Sequence, residues 1–179
     1  MSNKRSGLLL FFAGIFFGKN SYNLFMVFKF NLVKAVSYAN NYAEKGNPFF
    51  KKFSCGEDCN FVSQCLLAGS ENVFDKRKDG WFYENEKSFS SSWIDQTELF
   101  QHLLIAQKGP FGRVVSEGNL MVGDLVFLTS EMQKSVGIVT KMDGDEIFFV
   151  VKDKNFEVKK LLKSKNFDAK YLHILGVKK

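Results

Sequence analysis

The sequence predicts an α+β domain in which N-terminal helices pack on a C-terminal antiparallel β-sheet. In three segments between residues 31 and 106, apolar residues recur at steps of three and four, which is the period of amphipathic helices. From Met121 onward the period changes to two, and short β-rich runs are separated by Gly, Asp and Asn turns. Helices followed by antiparallel strands are typical of the α+β class. The length of 179 residues, with 45% hydrophobic and 25% charged residues, fits one globular domain and excludes a disordered chain.

The N-terminal segment has the layout of an export signal. Lys4 and Arg5 precede an apolar run over residues 8–17, and polar residues follow. The sequence lacks an A-x-A cleavage pattern and soon becomes apolar again, so an uncleaved membrane anchor and a buried N-terminal helix are alternatives. We therefore assign residues 1–30 to a signal peptide or N-terminal membrane anchor and residues 31–179 to the domain. The predicted location is secreted or anchored on the outer side of the cytoplasmic membrane, with a cytoplasmic location as the alternative.

Two helices are predicted in the first part of the domain. The first spans residues 31–44 and stops near Gly46, because glycine and the proline after it end helices. The second runs from about residue 59 to 68, with Asp58 as its N-cap and Gly69 at its end. Its buried side is predicted to hold Val62, Cys65 and Leu66.

A third helix follows a polar, charged loop that is rich in aromatic residues. The loop spans residues 70–93, and Asp95 and Glu98 behind it have the spacing of a capping box. His102 is expected on the flank of this helix, as a structural residue. The apolar positions that follow the cap are Leu99, Leu103 and Ala106.

The sheet is predicted from five short runs with a period of two. Because strands place alternate side chains on opposite faces, these runs suit a half-buried antiparallel sheet. The segment "MDGDE" between two of them predicts a hairpin turn. The runs are "GDLVFL", "SVGIVTKM", "EIFFVVKD", "FEVKKLL" and "YLHILGV".

The three cysteines are predicted to be free thiols. Cys55, Cys59 and Cys65 have the irregular spacing C-x3-C-x5-C, and neither His102 nor His173 is close enough in sequence to complete a zinc site. We therefore predict neither metal nor cofactor. A disulfide between Cys55 and Cys59 is the alternative.

The positive charge is concentrated at the C-terminal end. Residues 151–179 contain nine lysines against three acidic residues, which equals the whole formal charge of +6. Such a segment would attract an anionic surface, such as a wall polymer or a lipid headgroup layer, or it is an ordinary solvated face. Arginine is scarce there, and we predict no specific nucleic-acid partner.

Cys59 is the candidate nucleophile on physical grounds. It is predicted in the first turn of a helix, where the helix dipole lowers the pKa of a thiol. In the papain-like arrangement a cysteine begins a helix and a histidine from a later strand acts as its base. The order of helix and then sheet in this chain is the same.

Several blocks of the sequence resemble the bacterial putative amidase domain family in the same order. They are "LVKAVSYANNYAEKGNPFFKKF", "DCNFVSQCLLAG", "GWFY", "SFSSSW", "KGPFGRVVSEGNLMVGDLVFL" and "SVGIVTKMDGDEIFF". The resemblance implies a papain-like fold, distantly similar to cell-wall cysteine peptidases. It also implies a secreted or cell-wall protein that acts on amide bonds.

The family's motif, Asp-Cys-Thr-Asn-Phe-Val-Ser-Gln, is one residue longer than the matching segment of this chain. Without a gap, the family's Cys falls on Asp58 and its Thr on Cys59; with a gap, Cys59 is the nucleophile. One residue on a helix is a rotation of about 100°, so the two alignments point different side chains at the cleft. Ser135 stands where the family has its His. His173 would reach the helix only if the topology brought its strand there.

The predicted function is therefore an amidase-like domain that is catalytically inactive and acts as a binding or scaffolding module of the cell envelope. Its partner would be a peptide, peptidoglycan or an envelope protein. The alternative is an active cysteine amidase or peptidase that cleaves peptide or peptidoglycan amide bonds through Cys59. Candidate cleft or binding residues are Asp58, Asn60, Gln64, Trp81, Tyr83, Trp93 and Ser135.

Overall fold

The computed structural model describes residues 26–152, 154–157 and 167–179. It confirms the α+β class, with helices in the first part of the domain and an antiparallel sheet in the second. Residues 1–25, which hold the predicted export or anchor run, lie outside the described residues. Lys159, Lys160, Lys163 and Lys165 of the basic segment lie outside them too.

The first two helices form where the apolar period predicts them. Helix α1 spans Leu32–Tyr42, and the Asn31 side chain caps it by accepting the Lys34 N–H at 3.1 Å. Helix α2 spans Glu57–Gly69, and Val62, Cys65 and Leu66 are fully buried as predicted. The predicted N-cap of α2 is wrong, because the cap is Gly56 and Asp58 lies inside the first turn. Gly56 adopts a left-handed conformation, with φ of 78°, that glycine reaches without strain.

Two further helices follow the loop, α3 over Ser91–Ile94 and α4 over Gln96–Ile105. The predicted cap of α4 is confirmed, since the Asp95 carboxylate accepts the backbone N–H groups of Thr97 and Glu98 at 2.8 and 2.9 Å. The Asp95 N–H donates to Ser91 O at 2.8 Å, so it does not bond to the Glu98 side chain as in a capping box.

The main sheet is antiparallel throughout. Its strands are β1 (Val27–Phe28), β4 (Gly109–Val115), β5 (Leu125–Thr129), β6 (Lys134–Asp143), β7 (Glu146–Val151), β8 (Lys154–Glu157) and β9 (Asp168–Lys178). They run in the order β1-β9-β5-β6-β7-β8. Strand β4 also pairs with β9. A separate hairpin is formed by β2 (Tyr83–Asn85) and β3 (Ser88–Phe89).

The sequence predicted β5, β6, β7 and β9 and the hairpin turn between β6 and β7, where Asp143 pairs with Glu146. Most of the run "FEVKKLL" lies outside the described residues. Strands β1 and β4 were not predicted. Because β1 pairs with β9 and Phe30 is buried in the core, the folded unit includes residues 26–30, ahead of the predicted boundary.

The sheet buries a hydrophobic cluster on each face. Along β5, Leu125 and Phe127 belong to the inner cluster, which the helices cover, whereas Val126 and Leu128 belong to the outer cluster on the opposite face. This alternation is the expected result of the pleat. Cys59 is part of the inner cluster.

The aromatic residues of the loop are buried, which corrects the assignment of Trp81 and Tyr83 as cleft walls and places Trp93 in the core. Trp81 and Trp93 have no solvent exposure, Tyr83 is 8% exposed, and the two indole centroids are 5.0 Å apart. Trp81 Nε1 donates to Ser63 Oγ at 3.1 Å, and Ser63 Oγ donates to Trp93 O at 3.0 Å. The loop is polar between these residues, but its aromatic side chains turn inward because they fill the space beside α2.

His102 is also more buried than the sequence indicated. It is 7% exposed, its ring stacks near Trp81 at 6.5 Å between centroids, and its Nε2 has no hydrogen-bond partner among the described residues. Burial lowers the pKa of His102 from 6.5 to about 4; the Asp75 carboxylate opposes the shift, and Arg77 adds to it. The folded state therefore favours the neutral ring.

This burial predicts an acid-sensitive contribution to stability. Because the folded-state pKa lies below the unfolded one, the contribution is complete above pH 6.5 and is lost as the pH falls towards 4. The loss would reach up to about 3 kcal/mol. Urea unfolding of wild type and His102→Phe between pH 4 and 7 measures it, since phenylalanine keeps the stacking but does not titrate. Equal pH slopes for the two proteins would contradict the prediction.

Candidate functional site

The start of helix α2 is fixed by its contact with the end of α3. A Cβ placed on Gly56 would lie 2.1 Å from the carbonyl oxygen of Ile94. Only glycine fits between the two elements, and its positive φ turns the chain into the helix. The direction in which Asp58 and Cys59 project follows from this packing.

Asp58 and Ser135 form a hydrogen-bonded pair between α2 and β6. Ser135 Oγ donates to Asp58 Oδ2 at 2.5 Å, although the two residues are 77 positions apart in the chain. Ser135 is 7% exposed and lies near the start of β6, opposite Leu128 of β5. These are the two positions on which the ungapped alignment places the family's Cys and His. The fold therefore brings Asp58 and Ser135 into direct contact.

Cys59 lies next to this pair but is buried. Its exposure is 2%. Burial raises the pKa of its thiol well above the ordinary value, the negative charges of Asp95 and Asp58 raise it further, and a hydrogen bond with Ser63 opposes the shift. A reactive cysteine needs the opposite environment, with positive charge and access. The thiol of Cys59 is therefore neutral and shielded.

His173 is not a base for Cys59. Its Nδ1 lies 2.6 Å from Oδ1 of Asp124, a residue just before β5. Side chains alternate along β9, so His173 shares a face with Tyr171, which belongs to the outer cluster. Cys59 lies on the inner side of the sheet. Asp124 is buried, and burial raises its pKa while the bond with His173 opposes the shift.

Lys152 does not stabilise a thiolate at Cys59 either. Its Nζ donates to the carbonyl oxygens of Ala43 and Glu44 at 2.6 and 3.1 Å, where it satisfies acceptors at the end of α1. Lys134 does lie at the cleft, and its Nζ contacts Thr97 Oγ1 at 3.4 Å. A single exposed lysine faces three carboxylates there, so the local charge does not favour a thiolate.

A cleft of about 330 Å³ opens at the start of α2, and we refer to it as the α2 cleft. Residues 55–59, 94–96 and 134–136 line it. Its charged members are Glu57, Asp58, Asp95 and Lys134. Trp81, Tyr83 and Trp93 do not line it.

Asn60 and Gln64 face away from the α2 cleft, into a second cavity. Asn60 is fully buried; its Oδ1 accepts from Trp93 Nε1 at 2.8 Å, and its Nδ2 donates to Glu57 Oε2 at 3.0 Å. The role of Asn60 is therefore to join α2 to the aromatic cluster. Sequence reasoning placed it in the cleft because adjacent helix positions cannot be assigned to faces without the register.

Cys55 is a cleft residue that sequence reasoning missed. It is exposed and lines the α2 cleft, whereas Cys59 and Cys65 are buried; all three are free thiols. The sequence signal for its exposure was its position before Gly56, outside the apolar period of the helix. No cluster of three or more metal-ligating side chains occurs among the described residues.

The fold and the site define an α+β domain in which the first turn of a helix faces the start of a sheet strand. The family model described as "Putative amidase domain" matches residues 29–171, and the chain therefore belongs to that family. A relative in Bacillus subtilis (strain 168), "Uncharacterized protein YhbB", is 35% identical over 103 residues. The match covers 55% of this chain and 32% of the relative, so the chain corresponds to about a third of that protein.

No solved structure matches this chain, so the papain-like assignment stays a prediction. Within the part of the chain that the structure describes, no helix is both long and apolar enough to cross a membrane.

Proposed function

We propose that this amidase-family domain is catalytically inactive and works as a binding module. The observation that carries the proposal is the hydrogen bond between Ser135 Oγ and Asp58 Oδ2 at 2.5 Å. If the ungapped alignment is the correct one, a carboxylate has replaced the nucleophilic thiol and a hydroxyl has replaced the imidazole. The pair fills the place of the catalytic dyad with a stable contact.

The chemistry of the substituted pair supports this proposal. A carboxylate has an ordinary pKa of about 3.9 against about 6.5 for imidazole, so it is a poor base for a serine hydroxyl at neutral pH. Members of a nucleophile and base pair act as a unit, and losing one commonly lowers the rate by several orders of magnitude. Cys59 is buried and its pKa is raised, and among the described residues no histidine lines the α2 cleft beside the exposed Cys55.

The ligand that suits the α2 cleft carries a positive charge. Glu57, Asp58 and Asp95 outnumber Lys134 among its lining residues, so the cleft favours an amino group. Peptides and the peptide stems of peptidoglycan offer free amines. We place the module at the cell envelope because Lys4 and Arg5 precede an apolar run in the manner of an export signal.

The inactivity is tested by labelling and turnover together. With iodoacetamide at pH 8, Cys55 is expected to react rapidly, and Cys59 and Cys65 only after unfolding, as followed by peptide mass spectrometry. Peptide amides and peptidoglycan fragments are expected to be hydrolysed at the buffer rate by wild type and by Cys59→Ala. Turnover that disappears in Cys59→Ala but persists in Cys55→Ser would establish the enzyme and overturn the proposal.

The binding role is tested by sedimentation with purified peptidoglycan. Asp58→Asn removes one of the three negative charges of the cleft but keeps an oxygen for Ser135, so binding is expected to weaken by roughly threefold while the fold is retained. Glu86→Gln is a suitable control, since Glu86 is exposed and lies outside the cleft. Equal binding of wild type and Asp58→Asn would exclude the cleft as the binding site.

A further inference from the structure

A second cavity lies beside the ends of α1 and α2, and its lining is basic. Its volume is about 240 Å³. It is bordered by residues 45–48 and 50–52, by Lys152, and on α2 by Glu57, Asn60 and Gln64, together with Phe61. We refer to it as the lysine cavity. Glu57 borders both this cavity and the α2 cleft, so the two openings lie on either side of the first turn of α2.

The charge of the lysine cavity is strongly positive. Lys45, Lys51, Lys52 and Lys152 line it, against Glu57 as the one acidic residue among its described lining. The Glu57 carboxylate is already engaged, because its Oε2 accepts from the Phe53 N–H at 2.8 Å and from Asn60 Nδ2 at 3.0 Å. A Cβ on Gly46 would meet the Cε atoms of Lys52 at 3.6 Å and Lys152 at 3.9 Å, so these two lysine stems converge on one point of the rim.

The floor of the cavity presents a hydrogen-bond donor whose direction is fixed by a chain of contacts. The Phe49 N–H donates to Asn47 Oδ1 at 3.0 Å, which leaves Asn47 Nδ2 to donate to the Tyr38 oxygen at 2.8 Å. Tyr38 OH then donates its single proton to Gln64 Oε1 at 2.6 Å. Burial raises the pKa of Tyr38 well above its ordinary value, so the proton stays in place at neutral pH. The amide of Gln64 is therefore oriented with Oε1 towards Tyr38.

The remaining atom of that amide, Gln64 Nε2, is available to a ligand. It donates to no other residue in the described part of the chain, yet it is not among the solvent-inaccessible atoms that lack a partner. The residue as a whole is only 5% exposed and borders the lysine cavity. Its N–H donors thus reach solvent through the cavity. A buried amide donor in a cavity that is lined by several lysines is an arrangement that suits anionic oxygens.

We propose that the lysine cavity binds an anionic group, a carboxylate or a phosphate, with Gln64 Nε2 and the ammonium groups of Lys45 and Lys52 as its donors. The volume admits such a group with part of the molecule that bears it. This proposal does not depend on the state of the α2 cleft, because it uses none of the residues of the Asp58–Ser135 pair.

The test is a titration of the ¹⁵N-labelled full chain, followed by NMR, with inorganic phosphate and separately with glutarate, at constant ionic strength held by sodium chloride. Saturable shifts are expected for the Gln64 side-chain NH₂ and for the backbone amides of residues 45–52. Saturation by phosphate alone identifies a phosphate site, and saturation by glutarate alone a carboxylate site. Linear shifts with both anions, matching those of chloride, would overturn the proposal.

Variants separate this site from general charge effects. Lys45→Gln combined with Lys52→Gln is expected to weaken the affinity by about tenfold, because both side chains lie outside the buried core and are removable without disturbing it. Lys87→Gln, in the β2–β3 hairpin, removes the same kind of charge elsewhere and is expected to leave the affinity unchanged. Equal losses in the two proteins would contradict a defined site.

Gln64→Glu is an isosteric substitution that tests whether the Gln64 amide donates to the anion. It keeps an oxygen for Tyr38 and replaces the N–H donors with an acceptor, so anion binding should fall by more than about tenfold. Circular dichroism shows whether this variant folds, and the lysine pair tests the site independently of it. Full affinity in a folded Gln64→Glu protein would exclude Gln64 as a donor.

Discussion

Asp58→Cys combined with Ser135→His is expected to create a thiol that reacts with iodoacetamide at pH 6 on the order of 10- to 100-fold faster than an ordinary cysteine. The Oγ and Oδ2 atoms of the native pair are in hydrogen-bond contact, so the new imidazole would lie within reach of the new sulfur. The thiol would also lie in the first turn of α2, where the helix dipole favours a thiolate. Both effects lower its pKa relative to the same thiol without the imidazole, against the opposing charges of Glu57 and Asp95 that remain in the cleft.

The measurement needs a background free of competing thiols. Cys55→Ser removes the exposed cysteine, while Cys59 and Cys65 are shielded by burial. Asp58→Cys alone, in the same background, is the matched control, because it carries the thiol without the imidazole. The rate is followed from pH 5 to 9. If the single and double variants have the same pH profile, the two positions do not form a dyad, and the ungapped alignment loses its support.

Gly56→Ala is expected to destabilise the fold by about 4 kcal/mol or more, or to prevent folding. A Cβ at this position would lie 2.1 Å from the Ile94 carbonyl oxygen, which belongs to the backbone and cannot rotate away. The φ of 78° adds strain for any residue with a side chain. Relief would require α2 to move away from α3, and this movement would open the inner cluster. Urea unfolding or the yield of soluble protein measures the effect.

Substitutions at two other glycines separate the steric clash of the added Cβ from the strain of a positive φ. Gly144 has a φ of 57°, and a Cβ added there would meet nothing within 4 Å, so Gly144→Ala is expected to cost only about 1 kcal/mol for the backbone conformation. Gly118 has neither constraint, and Gly118→Ala should change the stability by less than about 1 kcal/mol. A loss for Gly56→Ala no larger than that for Gly144→Ala would show that the contact with Ile94 is not rigid.

The helices and strands with a regular apolar period could be predicted from the sequence, because that period depends on the spacing of nearby residues. A helix with apolar residues at steps of three and four buries one face wherever it packs, and α1, α2 and α4 appear within a few residues of their predicted positions. The same holds for β5, β6, β7 and β9. Strand β4 was missed because it begins with Gly109 and Pro110, residues that usually mark a loop. Strand β1 has two residues and exists only through its pairing with β9.

The candidate site was harder to predict than the helices and strands, because it depends on the direction in which each side chain points more than on the residue type. Trp81 and Tyr83 stand in a charged loop, which favoured exposure, but both turn inward to pack around Trp93. His102 had the pattern of a helix flank and is buried by that same cluster. Gln64, a candidate cleft or binding residue, borders the lysine cavity and not the α2 cleft. Such outcomes depend on which neighbours fill the space beside a side chain, and these neighbours are distant in sequence.

The sequence by itself determined the class of the fold and the family. It could not decide whether Asp58 or Cys59 occupies the place of the nucleophile, because one helical residue amounts to about 100° of rotation. The tertiary structure shows which of the two residues faces β6, because the close packing of Gly56 on Ile94 sets the rotation of α2 and turns Asp58 towards Ser135. Cys59 is thereby turned into the inner cluster, where burial keeps its thiol protonated.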